Sequence, residues 1–215
     1  WEYTGDAWLF HLGHDQPISD PDECYERVRA RDALNNLTWL TPAPAQHTMA
    51  LIMRQDVARE MRIVTISDLA RRLNHVDPYV RLCTPERLYD MVNGLRGLER
   101  VYNMRFNADY VSFLSMPEGY QALQAKQCDC ALGYSSDGEL EAYKLVVLRD
   151  DRGFFHASNL APVVRTPILQ RYPDLEVRLS ELSRRLDQKT LTSLRRQVIL
   201  ESRKPQTVAR RFLGD

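Results

Sequence analysis

The sequence predicts a layered α/β protein. Short apolar runs alternate with helical segments along the chain, and no internal repeat or low-complexity stretch interrupts them. Hydrophobic residues make up 44% and charged residues 27% of the 215 positions. That composition buries a real core in one large domain or two small lobes. The alternation also predicts mostly parallel sheets.

The chain opens on "WEYTGDAWLFHLGH", which gathers two Trp, a Tyr and a Phe around Gly5, with Asp6 beside the Tyr-Thr-Gly turn. An aromatic turn carrying a carboxylate suits one wall of a ligand cleft. "SDPDECYERVRARDALNN" is a helix: Ser19 or Asp20 can cap it, Pro21 suits its first turn, and acidic residues come early. "LTWLTPAPAQHTMALIM" holds two short apolar runs broken by Pro42 and Pro44, which fits an extended crossover better than a central strand. "TISDLARRL" starts another helix, with Thr65 or Ser67 as cap. "TPERLYDMVNGL" predicts a helix stopped by Gly94. "GYQALQAKQCDCALGY" predicts helix, turn and a strand ending at Gly133–Tyr134, and "YKLVVLRDD" a further strand. From "TPILQRY" to "RRFL" the chain reads as a run of helices, with breaks near Pro173, Asp187 and Pro205.

Lys+Arg and Asp+Glu are equal at 29 each. The zero net charge gives no reason to expect nucleic acid or an anionic membrane as partner. The basic residues are nearly all arginine and scattered rather than clustered. No apolar run reaches membrane-spanning length. The four cysteines are Cys24, Cys83, Cys128 and Cys130. The C-x-C of "QCDCAL" lacks the second pair that a zinc site needs and is not a C-x-x-C redox motif. On a strand, Cys128 and Cys130 share one face and act as small buried hydrophobes. Four cysteines without evident partners lean toward a reducing compartment. No metal-ligand cluster, Ser-His-Asp spacing or phosphate-cradling Gly loop stands out, so no cofactor is expected.

Eight stretches together resemble the glycine betaine/choline (quaternary amine) class of substrate-binding proteins from ABC transporters. They are "WEYTG", "HLGH", "LTWLTPAPAQHTMAL", "TISDLA", "GLRGLERVYN", "YQALQAKQCDCALGYSSDGEL", "LVVLRDDRGFF" and "NLAPVVR", in family order and over nearly the whole chain. The resemblance implies a two-lobed, type II periplasmic-binding-protein-like fold with a small amine ligand in the interlobe cleft. It implies that residues 1–42 and 140–215 form lobe 1 and residues 50–133 form lobe 2, with hinge crossovers at 43–49 and 134–139. It further implies an ABC permease as partner and an extracytoplasmic setting at the cell envelope, or a cytoplasmic one if the fold has been repurposed. Family members carry a strand-helix-strand-helix segment ahead of "EYTG". The expectation is therefore a first lobe incomplete at its N-terminus: the sequence is a fragment, or an oligomer or second chain fills the place, or the lobe is remodelled.

The same resemblance assigns candidate ligand contacts. A quaternary ammonium has no N–H to donate and is held by aromatic faces; a carboxylate tail needs Arg or hydroxyl donors. Tyr3, Tyr110 and Tyr134 match cage tyrosines, and Thr4, His47 and Thr48 lie in matching stretches. Three positions depart from the family. "NNTYAL" becomes "QHTMAL", so a cage tyrosine is Met49. The arginine before "PDG" becomes Met91. The second Thr of "EYTGT" becomes Asp6. Two like charges ~4 Å apart cost on the order of 4 kcal/mol at an effective dielectric near 20. These changes disfavour glycine betaine and favour a ligand that lacks a carboxylate, or that carries a proton donor or positive charge for Asp6, with an apolar part against Met49 and Met91. As an alternative, Asp6 and His47 could serve with tyrosine hydroxyls as acid and base of an enzyme on this scaffold, or the fold could act as a non-transport sensor or interaction protein. His47 equally fits as a hydrogen-bonding stand-in for Asn.

Overall fold

The computed structural model describes residues 1–214. The chain divides into two compact units, Trp1–Thr48 with Phe155–Arg195 and Met49–Phe154 with the residues from Arg196 onward.

In the first unit, β1 (Glu2–Tyr3) runs straight into the short helix α1 (Thr4–Asp6) and a π-helical turn, Ala7–His11. Helix α2 (Pro21–Ala33) begins where the sequence places it, with the Asp20 carboxylate accepting from the Glu23 N–H at 2.8 Å. Strand β2 (Leu37–Trp39) follows. Trp8, Cys24, Val28, Trp39, Ala157 and Ala161 form the core of this unit. Its two buried indoles are satisfied: the Trp39 N–H donates to Asp32 at 2.7 Å and the Trp8 N–H to the Gln16 carbonyl at 2.8 Å.

The second unit holds a five-stranded sheet. Its strands are β3 (Met49–Arg54), β4 (Leu82–Thr84), β5 (Val111–Phe113), β6 (Cys130–Tyr134) and β7 (Leu145–Val147), in the order β5-β4-β6-β3-β7. Between them run α3 (Gln55–Glu60), α4 (Ile66–His75), α5 (Leu95–Tyr102), α6 (Met116–Gln124) and α7 (Glu139–Ala142). The four central residues of β3 are all buried; Ala50 and Ile52 join a cluster with Tyr120, Leu123 and Ala131, while Leu51 and Met53 alternate to the other face. Both faces are thus covered. Thr65 caps α4 through a reciprocal capping box with Asp68.

The chain then returns to the first unit through β8 (Leu160–Ala161), which pairs antiparallel with β1, and β9 (Val163–Arg165), which pairs antiparallel with β2. Helices α8 (Thr166–Arg171), α9 (Asp174–Arg184), α10 (Gln188–Ile199) and α11 (Pro205–Leu213) break where the sequence marks them.

Four expectations differ from what is observed. The sheets are not mostly parallel: β6 and β7 both run antiparallel to β3, and only β4 is parallel to its neighbours β5 and β6. Residues 85–93 form only a single 3-10 turn, Glu86–Leu88, and Gly94 starts α5 rather than ending a helix. The expected lobe 1 takes in 140–215, yet Leu145–Val147 pairs with Ile52–Arg54 and so joins the second unit. Finally, Cys128 precedes β6 and is disulfide-bonded to Cys83, with Cα atoms 6.0 Å apart; Cys24 and Cys130 are free and buried. With two of the four thiols paired, the cysteines no longer point to a reducing compartment.

Candidate functional site

Within the first unit, the opening turn does gather the expected residues. The Thr4 N–H donates to the Asn159 carbonyl at 2.9 Å, and the Asn159 N–H donates back to the Thr4 hydroxyl at 3.0 Å. The Asn159 amide also donates to the carbonyls of Ala43 and Ala45, at 3.0 and 3.3 Å. One residue therefore fixes the "YTG" turn through its backbone and the Pro-Ala-Pro-Ala run through its side chain. Thr4 is fully buried and braces this turn. The Tyr3 ring lies 5.3 Å from the His47 ring. Burial raises the Tyr3 hydroxyl above its usual pKa; Arg195 opposes this, while Asp6 and Glu2 reinforce it. Tyr3 stays a neutral hydroxyl at physiological pH.

Asp6 is partly exposed, and the imidazole beside it is His156, with Nε2 3.7 Å from the carboxylate. His47, the histidine that the sequence suggests as its acid–base partner, lies against the Tyr3 ring. The Thr48 hydroxyl donates to the His156 carbonyl at 2.5 Å, and the His47 N–H donates to the Ser158 carbonyl at 2.8 Å. Gly5 is required here: a Cβ would run into the Ala157 carbonyl and the His156 ring.

Within the second unit, Met49 and Tyr134 are direct cross-strand partners at one end of the β3–β6 ladder. Their side chains share a face, with Cβ atoms about 5 Å apart. Tyr134 is held by its backbone: its N–H donates to the Tyr120 hydroxyl at 3.0 Å, and that hydroxyl donates to Asp137 at 2.6 Å. The Tyr120 hydroxyl pKa is pushed far up by burial, then by the charge and hydrogen bond of Asp137. Gly133 makes room for this hydroxyl, since a Cβ there would strike it.

Tyr134 ends β6, at the carboxyl end of the parallel strands. In open α/β sheets that is the end where ligands bind. Met91 follows the turn that leaves the carboxyl end of β4 and is exposed. Tyr110 is not with them. It precedes Val111, which pairs with Leu82, and Leu82 pairs with Cys130 at the amino end of β6. Four residues of strand, about 13 Å, separate that edge from Tyr134. There Tyr110 packs against the Tyr79 ring at 5.3 Å.

Two groups escape a reading of the sequence. His156 follows the "LVVLRDDRGFF" stretch and has no motif of its own. At the carboxyl edge, Tyr89 meets Phe113 edge-on at 5.1 Å, with the Arg96 guanidinium 4.2 Å from the Tyr89 ring centroid. Arg96 is also bonded to Glu99 at 2.6 Å. The β6–β3 reversal, which brings Met49 beside Tyr134, needs the observed register and could not be read from spacing. Among the described residues, no group of three or more His, Cys, Asp or Glu could hold a metal ion.

A mixed α/β fold in two discontinuous units, with aromatic and Met side chains at sheet ends and a carboxylate beside a tyrosine, defines the class of type II solute-binding domains. The whole chain, residues 1–215, matches the family described as the substrate binding domain of ABC-type glycine betaine transport systems, and the chain belongs to that family. It is 33% identical to a glycine-betaine-binding protein of Pseudomonas aeruginosa, covering 100% of this chain and 70% of the relative. It is 31% identical to the glycine betaine-binding protein YehZ of Escherichia coli, covering 99% and 72%. Among solved structures, it superimposes on a glycine betaine/carnitine/choline ABC transporter protein with TM-score 0.91 at 25% identity, covering 99% of this chain and 76% of that one. Apo YehZ superimposes with TM-score 0.85 at 30% identity, covering 99% and 78%. The chain is thus a substrate-binding domain related to the ABC transporter binding proteins for glycine betaine, carnitine and choline.

Proposed function

We propose that this domain binds a small organic cation without a carboxylate, such as choline, and delivers it to an ABC permease outside the cytoplasm. In the first unit, Tyr3 supplies an aromatic face for the alkylated nitrogen and Asp6 supplies the counter-charge. In the second unit, Tyr134 and Met49 at the end of the β3–β6 ladder, and Met91, are further aromatic and soft apolar candidates. Tyr110 is left out because it lies at the amino edge of the sheet. The single observation that carries the proposal is Asp6, a partly exposed carboxylate in the turn that follows Tyr3. A zwitterion's acid group would meet this anion where the family offers a hydroxyl. The disulfide Cys83–Cys128 supports an oxidising compartment, and among the described residues no helix is long and apolar enough to cross a membrane. The acid–base alternative finds no support in the geometry, since Asp6 faces His156 while His47 lies against Tyr3.

Thermal shift with choline and with glycine betaine tests the proposal. Choline at saturating concentration raises the melting temperature by linkage, and glycine betaine does so little. Asp6→Thr narrows the gap from both sides. Strong stabilisation by glycine betaine, unchanged in Asp6→Thr, would refute it.

A further inference from the structure

The counter-charge proposed above has a second claimant. The His156 imidazole lies 3.7 Å from the Asp6 carboxylate, and most of its side chain is shielded from solvent. Its backbone is pinned: the carbonyl accepts from Thr48, and the Ala157 N–H donates to the Ile18 carbonyl at 2.8 Å. Its ring rests on Gly5, where no side chain could fit. The imidazole therefore has little freedom to leave Asp6. The other titratable groups around the pair are Tyr3 on β1, His47 against the Tyr3 ring, and Glu2, which faces Tyr3 and lies 3.6 Å from His11. Arg195 on α10 also acts on Tyr3. Of these, only the histidines change charge near neutral pH, and His156 is the one against Asp6.

We propose that His156 is a specificity-determining residue that makes cation binding at Asp6 pH-dependent. When neutral, it leaves the Asp6 charge for an organic cation. When protonated, it takes Asp6 as its own counter-ion and also repels the cation. The inference rests on Asp6 being a ligand contact, and it predicts a domain that holds its cation at neutral pH and releases it in acid. Binding and protonation at one carboxylate are linked, so each disfavours the other.

Isothermal titration with choline, on the full chain, tests this. Because imidazolium and organic cation exclude each other at Asp6, affinity falls about fivefold between about pH 8 and pH 5.5. His156→Gln keeps a polar group without a titrating one and flattens the ratio to within about twofold of unity. His47→Gln retains the wild-type ratio whatever it does to affinity. A pH-independent wild type, or the wild-type ratio surviving in His156→Gln, overturns the proposal. A second readout needs no ligand: by NMR at about pH 5.5, the His156 ring signals move on Asp6→Asn, and unchanged signals overturn the pairing. Should the wild type bind no choline at either pH, the amine assignment fails, and the NMR arm alone still decides whether His156 and Asp6 are coupled.

Discussion

Tyr120→Phe removes one oxygen from the second unit and should be felt at two places. The hydroxyl donates to Asp137 at 2.6 Å and accepts from the Tyr134 N–H at 3.0 Å, and the residue is 1% exposed. A bond between neutral groups contributes roughly 0.5–1.5 kcal/mol and one to a charged group roughly 1.5–3. Losing both costs about 2–4 kcal/mol. Part of this is the strain of leaving a carboxylate and an amide without the partner they share. Urea unfolding of wild type and variant, followed by fluorescence, reads the difference as a shift in midpoint at constant slope. The titration carries a signature that packing alone cannot give. The Tyr120 hydroxyl pKa is raised, first by burial and then by Asp137. Its stabilising share is complete below the unfolded value near 10 and is lost as pH rises toward the folded value, with a slope of at most ~1.4 kcal/mol per pH unit. Wild type should therefore lose stability more steeply above about pH 10 than the phenylalanine variant. Equal stabilities at neutral pH, together with parallel alkaline slopes, would refute the claim that this hydroxyl braces Tyr134.

Other substitutions probe neighbouring parts of the argument. Gly133→Ala forces the Tyr120 hydroxyl off its bonds and should cost about 1–3 kcal/mol by overpacking, with choline affinity falling in parallel in a titration. Asp68→Asn weakens the capping box that Asp68 forms with Thr65 and should cost about 1 kcal/mol at neutral pH. The Asp68 pKa is lowered chiefly by the Thr65 backbone N–H. Its contribution is present above the unfolded value near 4 and disappears as pH falls through the folded one, so wild type and variant should converge in acid denaturation. Cys83 and Cys128 close a loop with a sequence separation of 45; in the chain-entropy model, opening it costs about 4 kcal/mol. A thiol assay on denatured, unreduced protein should find only Cys24 and Cys130 reactive.

The parts of the fold legible in sequence are those governed by local chemistry. Asp20 with Pro21, and Thr65 with Asp68, state where helices start, because an exposed N–H near a helix N-terminus needs an acceptor whatever surrounds it. Pro173 and Pro205 break the C-terminal run for an equally local reason. "TPERLYDMVNGL" misleads because its apolar spacing suits a helix, while tertiary bonds take the backbone elsewhere: the Arg96 N–H donates to the Tyr89 carbonyl at 3.2 Å, across the would-be helix stop. Strand direction is not local at all. Nothing in "MALIMR" says that β6 must run against it, and a parallel expectation follows from alternation alone. The disulfide belongs to the same class, since Cys83 and Cys128 meet only once β4 lies beside β6.

The site shows the same division in sharper form. Tyr3, Asp6, Tyr134 and Met49 were visible because they sit inside stretches that resemble the family, and their types have a clear chemistry. His156 was not, because a lone histidine has no meaning until its neighbour is known. Yet Asp6 and His156 act as one electrostatic unit. An exposed carboxylate with no cationic neighbour would attract any cation, metal or amine, with little selectivity. An imidazole fixed against it by Thr48, Ile18 and Gly5 restricts that charge to one approach and one pH range. Gly5 is what allows this, because any side chain there would displace the ring. Gly5→Ala should consequently lower choline affinity at about pH 8 and blunt its dependence on acid. A variant that folds with wild-type affinity and an intact pH ratio would mean that the ring need not be held, and the specificity would have to lie with the aromatic faces alone.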